Sequence, residues 1–335
     1  MGTFNIRTRK IIAIPLAICV SKRLGMASQV KQASEMYDLL VDSMVRPPRA
    51  QYQIADLGPT DFLVGQVSIS RHDFELQGPK GRLQCSHWKP ENLMAAPGSD
   101  IGKLPCVVYL HPNAGNRTVA PALRNAVLSS GLTFFSLDLS GSGHSDGDRV
   151  SLGWYERLDV AAVIEHLRQD GSGVSKIALW GMGSGAVAAL LYADYEMTRG
   201  DRQVAAIIAD SAFQSLQSFS IALIKKEMPK IPTVVLTLAL AAIRRSIKRL
   251  EEFNIDDLAP IKCAPVGQIP VLFLAAEGDL LFQTDAKKLH DAYGGEKKLI
   301  LFDGNDISLD KTGVGVNTCL MRSSYLTLFC SQVRT

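Results

Sequence analysis

KIALWGMGSGAVAALLYA, residues Lys176–Ala193, joins a short apolar run to an apolar helix pattern through a turn that contains three glycines. The run predicts a strand over Ser175–Trp180, buried on both faces of a mainly parallel sheet. The second half predicts a helix over Ala186–Tyr195. Glycine in the turn permits positive φ and close backbone approach. A strand, a sharp turn and a helix in this order indicate an α/β domain.

The same alternation of strand and helix continues on both sides of this segment. Continuous apolar runs predict core strands at CVVYL (106–110), LTFFSLDL (132–139), VAAIIA (204–209) and VLFLAA (271–276), with a further strand at 298–302. Helices are predicted near 120–129, 155–169, 284–293 and 318–331, and antiparallel strands at 66–76 and 83–88. We therefore predict a three-layer α/β/α sandwich around a mostly parallel, doubly wound sheet.

Two regions stand apart from this alternation. Residues 1–45 form a basic and apolar N-terminal arm followed by a predicted helix over 27–45, and residues 46–335 form the α/β domain. A helical cap insertion is predicted at about 213–258. It contains IPTVVLTLALAAI (231–243), and a helix that is apolar all round must be buried. Burial under the protein's own cap and burial against a partner are both open.

Composition excludes several classes of function. The 335 residues carry a net charge of +3, and the basic residues form no stripe with aromatics, so we expect no nucleic-acid partner. The six cysteines form no C-x-x-C pair, which argues against zinc and against a disulfide framework. The sequence has no phosphate-binding loop, no dinucleotide fingerprint and no metal-ligand cluster. We therefore expect neither a cofactor nor a metal.

The N-terminal arm has no acidic residue before Glu35. Its apolar run, Ile11–Val20, has ten residues, whereas a membrane span needs about 20. Acid-poor sequence of this kind is typical of organelle targeting, which predicts a mitochondrial location, with the cytoplasm as the alternative. A basic arm that docks on other protein subunits, or contacts a membrane surface peripherally, is the second interpretation.

Six segments, in the correct order, resemble the α/β-hydrolase superfamily, in particular its serine-aminopeptidase-like and lipase-like branch. They cover most of residues 45–306 and imply the fold predicted above. The segments are VRPPRAQYQIADLGP (45–59), LPCVVYLHPNAGNR (104–117), FFSLDLSGSGHSDGDRVSLGWYE (134–156), KIALWGMGSGAVAALLYA (176–193), IIADSAFQSL (207–216) and the run from 269 to 306 that begins IPVLFLAAEGD and ends FDGND.

The resemblance implies a catalytic triad whose positions are degenerate here. In the family, Gly-x-Ser-x-Gly places the nucleophilic serine on a strained turn. This chain has Gly183 at the serine position, Asp279 at the position of the acid and Asp306 where the histidine should stand. A carboxylate with its usual pKa near 4 is a poor base for a serine hydroxyl, so no intact triad is expected.

Two neighbouring features also depart from the family. The oxyanion loop reads His111-Pro112-Asn113, and the proline lacks the backbone N–H that the family uses there. Ser184, one residue after the nucleophile position, is the fallback nucleophile. We expect it instead to cap the following helix.

Three hypotheses for function follow. The first is a catalytically inactive hydrolase relative that serves as an accessory subunit of a larger assembly. The second is an active serine ester or peptide hydrolase with a displaced nucleophile, Ser184 or Ser211, that acts with Asp279. The third is a module that binds a small molecule or lipid in the pocket that the fold provides. The degenerate triad favours the first.

Overall fold

The computed structural model describes residues 45–46, 49, 51–91, 102–118, 121–169, 171–227, 229, 232–302, 307–309 and 315–317. In chain order its strands are β1 Asp61–Val64, β2 Val67–Gly78, β3 Gly81–Pro90, β4 Leu104–Leu110, β5 Thr133–Leu137, β6 Val174–Met182, β7 Val204–Asp210, β8 Val271–Ala276, β9 Lys297–Phe302, β10 Ile307–Leu309 and β11 Gly315–Asn317. Its α-helices are α1 Pro121–Ser129, α2 Glu156–Leu167, α3 Ser184–Thr198, α4 Leu216–Glu227, α5 Thr233–Glu251, α6 Pro260–Cys263 and α7 Leu280–Ala292.

Nine of the described strands form one sheet in the order β1-β2-β3-β5-β4-β6-β7-β8-β9. The pairs from β5 through β4 and β6 to β9 are parallel, whereas β1, β2 and β3 join antiparallel at one edge. The chain moves from β4 to β5 in one direction and from β6 to β9 in the other. The carboxyl ends of β4 and β6 therefore flank a topological switch point, where doubly wound sheets bind ligands.

Apolar clusters cover both faces of the sheet and produce the three layers. On one face α2, α3 and α7 bury Val163, Ala189 and Leu289 against the strand residues. On the other face α1 buries Val127 against Phe134 and Trp180. The predicted α/β/α sandwich with a mostly parallel, doubly wound sheet is therefore confirmed.

Helix and strand positions agree with the sequence pattern to within a few residues in the core. The strand predicted at 175–180 is β6, and the helix predicted at 186–195 is α3. The short edge strand β1 was not predicted, because its four residues carry only a half-buried alternation. The helix predicted at 318–331 and nearly all of the N-terminal arm lie outside the described residues, and so does the helix predicted at 27–45 except Val45.

The chain between β7 and β8 carries α4 and α5. Leu240, Ile243 and Ile247 follow helical spacing on α5 and are almost completely buried against Phe213 and Leu216. This spacing places one apolar stripe of α5 against the protein's own chain. Among the described residues, no helix is long and apolar enough to cross a membrane.

A buried polar network fixes the turn that follows β5. The Asp138 carboxylate, which is fully buried, accepts hydrogen bonds from the Tyr52 hydroxyl at 2.7 Å and the His144 backbone N–H at 2.9 Å. It also accepts one from the Arg117 backbone N–H at 2.6 Å. The Arg117 side chain donates from Nε to the Tyr52 hydroxyl at 2.7 Å. The network therefore ties the segment before β1 to the loops that follow β4 and β5.

Candidate active site

A sharp turn joins β6 to α3 at the carboxyl edge of the sheet. Gly183 has φ +57° and ψ −117°, and the next residue, Ser184, begins α3. The Gly183 N–H donates to the Asp210 carbonyl at 2.8 Å, which holds the turn against the end of β7. Glycine adopts a positive φ without the steric cost that a side chain would add. The turn has the elbow shape that the sequence implied, but this position carries no nucleophile.

Close backbone packing explains the two glycines that flank the elbow. A Cβ on Gly181 would lie 2.3 Å from the Gly185 carbonyl oxygen, and a Cβ on Gly185 would lie 2.2 Å from that of Leu110. A Cβ on Gly183 would meet nothing closer than the Pro112 Cβ at 3.4 Å. The flanking glycines are therefore required by packing, whereas the central position has room for a side chain.

Of the two positions predicted for the acid and the histidine of the triad, the structure describes only the first. Asp279 is the N-cap of α7, half-buried, and its carboxylate accepts a hydrogen bond from the Leu281 N–H at 3.2 Å. Asp306 lies outside the described residues. The assignment of Gly183, Asp279 and Asp306 to the triad positions stays a prediction.

The loop predicted to form the oxyanion hole lies directly over the elbow. The His111 ring is buried, with Nδ1 bonded to the Pro112 carbonyl at 2.8 Å and Nε2 accepting from the Leu139 N–H at 3.0 Å. Burial lowers the pKa of His111. Both ring nitrogens are occupied, so this histidine is a structural residue of the loop. The exposed Asn113 accepts a bond from the Ala114 N–H at 3.1 Å through Oδ1, which leaves its amide N–H₂ group as a donor.

All six histidines of the chain lie among the described residues, and none is hydrogen-bonded to Ser184 or Ser211 there. His87 bonds to Thr133, His290 to Asp291, and His144 stacks on the Tyr52 ring at 4.2 Å. A serine at this edge of the sheet would need a base of another kind.

Ser184 does not cap α3, so that expectation is wrong. Gly183 occupies the N-cap position, no side chain bonds to the cap, and Ser184 is the first helical residue. Its half-buried hydroxyl makes no hydrogen bond to the described residues. The first turn of a helix leaves backbone N–H groups without intrahelical acceptors, and together with the helix dipole they favour negative charge. The amino end of α3 can therefore stabilise an oxyanion.

Asp210 and Ser211, consecutive residues at the end of β7, form a pair that the sequence analysis did not recognise as nucleophile and base. The Ser211 Oγ lies 2.9 Å from the Asp210 Oδ1. Ser211 has φ +55°, a conformation uncommon for any residue except glycine and often found where function requires it. Burial raises the pKa of Asp210 to about 6, although the bond from Ser211 opposes the shift. A carboxylate with that pKa is a usable proton acceptor at neutral pH.

The sequence contained one signal for this pair, a carboxyl residue placed at the carboxyl end of a core strand immediately before a serine. Ser211 was a candidate nucleophile in the sequence, whereas Asp210 was not a candidate base. The pair adjoins the elbow, because the Asp210 carbonyl accepts the Gly183 N–H and Met182 is its partner across the strands.

Three aromatic side chains form a row beside Ser211. Phe213, two residues further along, lies with its ring centroid 5.3 Å from that of Phe219 on α4. Phe219 lies 5.3 Å from Phe282 on α7. Phe213 is buried and the other two are half-buried, so the row offers an apolar surface at the same edge. No group of three or more metal-ligating side chains occurs in the part of the chain that the structure describes.

Comparison with known proteins places this geometry in context. The profile of X-Pro dipeptidyl-peptidases of the S15 family matches residues 81–225. A search of the curated proteins finds no match. The esterase Pf2001 of Pyrococcus furiosus is similar in structure, with a TM-score of 0.58 at 16% identity over 86% of this chain and 98% of that one.

Two further solved structures resemble the chain. The acetyl xylan esterase of Paenibacillus sp. R4 has a TM-score of 0.52 at 17% identity and covers 77% of this chain and 90% of its own. Est1E of Butyrivibrio proteoclasticus, solved with ferulic acid bound, has a TM-score of 0.52 at 15% identity over 78% of this chain and 100% of its own. At these identities the likeness establishes the fold alone.

These findings overturn the interpretation as an inactive accessory subunit and the expectation that the chain is not an enzyme. The profile that matches residues 81–225 describes a family of peptidases, and the similar structures are esterases, so neither finding favours an inactive subunit. The error has a physical reason, since glycine at the elbow removes one hydroxyl but leaves the carboxylate-bound hydroxyl of Ser211 beside it. The expected partner subunits and the expected mitochondrial location stay predictions. By its sheet, its elbow and its likeness to these structures, the chain has the α/β-hydrolase fold.

Proposed function

We propose that the chain is a serine hydrolase that cleaves carboxylic esters, with Ser211 as nucleophile and Asp210 as its base. The observation that carries the proposal is the 2.9 Å hydrogen bond between the Ser211 Oγ and the Asp210 Oδ1, next to the elbow of an α/β-hydrolase sheet. The carboxyl edge of such a sheet is where this architecture holds its ligands.

The reaction is acyl transfer in two steps. The Ser211 Oγ attacks the carbonyl carbon of the ester while its proton passes to the Asp210 carboxylate. The tetrahedral intermediate collapses, and the leaving alcohol takes the proton from Asp210. Water then attacks the acyl group on Ser211 and gives one proton to Asp210, which returns it to the serine oxygen as the carboxylic acid departs. The negative charge that develops on the carbonyl oxygen lies near the amino end of α3.

The row of Phe213, Phe219 and Phe282 supports an apolar acyl group. Aromatic rings at this spacing provide a large apolar surface, and burying an acyl methylene there contributes about 0.8 kcal/mol. Peptide bonds are the second candidate substrate, favoured by the match of residues 81–225 to X-Pro dipeptidyl-peptidases.

The test is covalent labelling with a fluorophosphonate, followed by intact mass and peptide mapping. We expect one adduct, on Ser211, which is absent from Ser211→Ala and strongly reduced in Asp210→Asn. Asparagine keeps the shape and an acceptor for the hydroxyl, but it cannot take the proton. Ser184→Ala is the matched control and should label normally.

Each contrary result has a definite meaning. Absence of labelling, together with no turnover of p-nitrophenyl esters or X-Pro p-nitroanilides, would refute the hydrolase proposal. Loss of the adduct in Ser184→Ala with retention in Ser211→Ala would keep the hydrolase and move the nucleophile to the amino end of α3.

A further inference from the structure

A cavity of about 310 Å³ lies on the face of the sheet that α2 and α3 cover. Its walls come from the start of α2, the second half of α3 and the chain on either side of the start of α6. Ser184 and Asp194 are ten residues apart on α3, which corresponds to about 15 Å along the helix axis. The cavity is thus separate from the elbow. Its volume is that of a small-ligand site. The lining includes Trp154, Arg157, Leu191, Asp194, Asp257 and Lys262.

Arg157 is the most unusual group in this cavity. Its guanidinium lies 3.6 Å over the Trp154 ring, and its Nε is buried without a hydrogen-bond partner. No carboxylate lies within 4 Å of it among the described residues. Burial lowers the pKa of Arg157, and the charge of Asp194 opposes that shift. A guanidinium has five N–H donors in a planar fork, so these donors are available to a ligand with two acceptor oxygens.

Two carboxylates line the same cavity, and neither has an ion-pair partner among the described residues. Asp194 is half-buried on α3 and Asp257 is exposed before α6, and neither side chain makes a hydrogen bond to the described residues. Lys262 differs, because its Nζ donates to the Asp256 carbonyl at 2.6 Å. Two cations and two anions thus line the cavity, and none of the four forms an ion pair among the described residues. A ligand with only one sign of charge would leave the opposite group unpaired, at an energetic cost.

We propose that this cavity binds a small zwitterion, a free α-amino acid, with the ligand carboxylate on the Arg157 guanidinium and its ammonium on Asp194. The ligand side chain then lies against Leu191, which forms an apolar part of the wall. The stack on Trp154 holds the guanidinium plane in place before the ligand arrives, which reduces the entropy lost on binding.

The first test is a thermal-shift screen of the full chain with each of the twenty free amino acids at about 10 mM. A ligand at many times its Kd should raise the Tm of the chain by about 5 °C. For leucine, two analogues that each lack one of the charged groups serve as controls. Deleting its ammonium gives 4-methylpentanoate, and deleting its carboxylate gives 3-methylbutylamine. We expect an amino acid to bind and both singly charged analogues to bind at least tenfold more weakly. Absence of any shift, or equal binding of 4-methylpentanoate, would overturn the proposal.

Substitutions of the lining residues test whether the amino acid binds in this cavity. Arg157→Gln and Asp194→Asn should each weaken binding of the amino acid at least tenfold in calorimetric titration, and the second keeps the assay informative should the first unfold the chain. Arg168→Gln, at the exposed far end of the same helix, is the matched control and should bind normally. Retained binding in both cavity variants would contradict the proposal. Ser211→Ala should bind normally, so the result is independent of the hydrolase activity.

Discussion

The Ser211 hydroxyl and the Asp210 carboxylate share a hydrogen bond of 2.9 Å at the end of β7, while the neighbouring elbow at Gly183 has no side chain. Both turns have positive φ, +57° at Gly183 and +55° at Ser211. The residue in the second turn is Ser211, so a side chain with a hydroxyl group occupies a strained backbone conformation there. Strain of that kind persists where the surrounding structure enforces it.

The rate of ester hydrolysis should depend on the ionisation of Asp210. Burial raises its pKa to about 6, and only the ionised carboxylate can take the serine proton. We therefore expect kcat/KM to be level above that pH and to fall about tenfold per pH unit below it. Asp210→Asn should lower kcat by about 10²–10⁴-fold at neutral pH. The measurement is a pH–rate profile with a p-nitrophenyl ester. Asp201→Asn, on the exposed surface, is the control, and an unchanged rate in Asp210→Asn would remove Asp210 from the mechanism.

Acyl-chain preference should depend on the aromatic row. Phe219 lies between Phe213 and Phe282, at 5.3 Å from each, so Phe219→Ala opens the middle of the surface. We expect kcat/KM for a hexanoyl ester to fall about tenfold or more, since several methylenes lose contact at about 0.8 kcal/mol each. The rate for an acetyl ester should change little. Equal losses for both esters would show that Phe219 supports the fold and does not contact the acyl group.

Two of the glycines at the elbow, Gly181 and Gly183, should respond differently to a side chain. Gly183→Ser adds a group with room beside Pro112 but places a side chain at φ +57°, which should cost about 1–3 kcal/mol of unfolding free energy. Gly181→Ala would press its Cβ to 2.3 Å from the Gly185 carbonyl oxygen and should prevent stable folding. Urea unfolding of both variants measures the difference. Equal destabilisation would mean that the elbow is packed more tightly than the structure shows.

Removing the Arg117 side chain should destabilise the protein strongly. Its Nε lies 4.0 Å from the Asp138 Oδ2, and both side chains are buried. Arg117→Met leaves a buried carboxylate without its countercharge, which typically costs about 3–5 kcal/mol. Arg199→Met is the control, because the exposed pair with Asp201 contributes about 0–1 kcal/mol. The measurement is again urea unfolding, and similar losses for the two variants would contradict this account of the network.

Asp159 should make the protein less stable at alkaline pH. Burial raises its pKa to about 8, against the two hydrogen bonds that Ser140 donates to it. The folded state therefore holds a proton that the unfolded state releases near pH 4, so stability falls as the pH rises from about 4 to 8. We expect Asp159→Asn to lose less Tm between pH 6 and pH 9 than the unaltered chain. Parallel thermal scans measure the difference, and identical losses would show that another group governs the alkaline transition.

Residue pattern was enough to predict the fold and the elbow. Continuous apolar runs identify strands buried on both faces, and the glycines at 181, 183 and 185 predict a turn that the structure shows to be required by backbone contacts of 2.2–2.3 Å at two of them. These features depend on local pattern and on residue size, and both can be read directly from the amino-acid sequence. The short strand β1 was missed, because four residues with partial alternation carry little pattern.

The contacts between polar groups, in contrast, depend on how the folded elements pack in space. Sequence order places Ser184 beside the nucleophile position, but its hydroxyl neither caps α3 nor bonds to a described residue. The bond between Ser211 and Asp210 depends on a positive φ that no residue pattern encodes, and the raised pKa of Asp210 depends on burial by elements far apart in the chain. The cavity at Arg157 likewise gathers α2, α3 and α6. Hydrogen bonds and desolvation act over a few ångströms in space, so the chain must fold before they can be assigned.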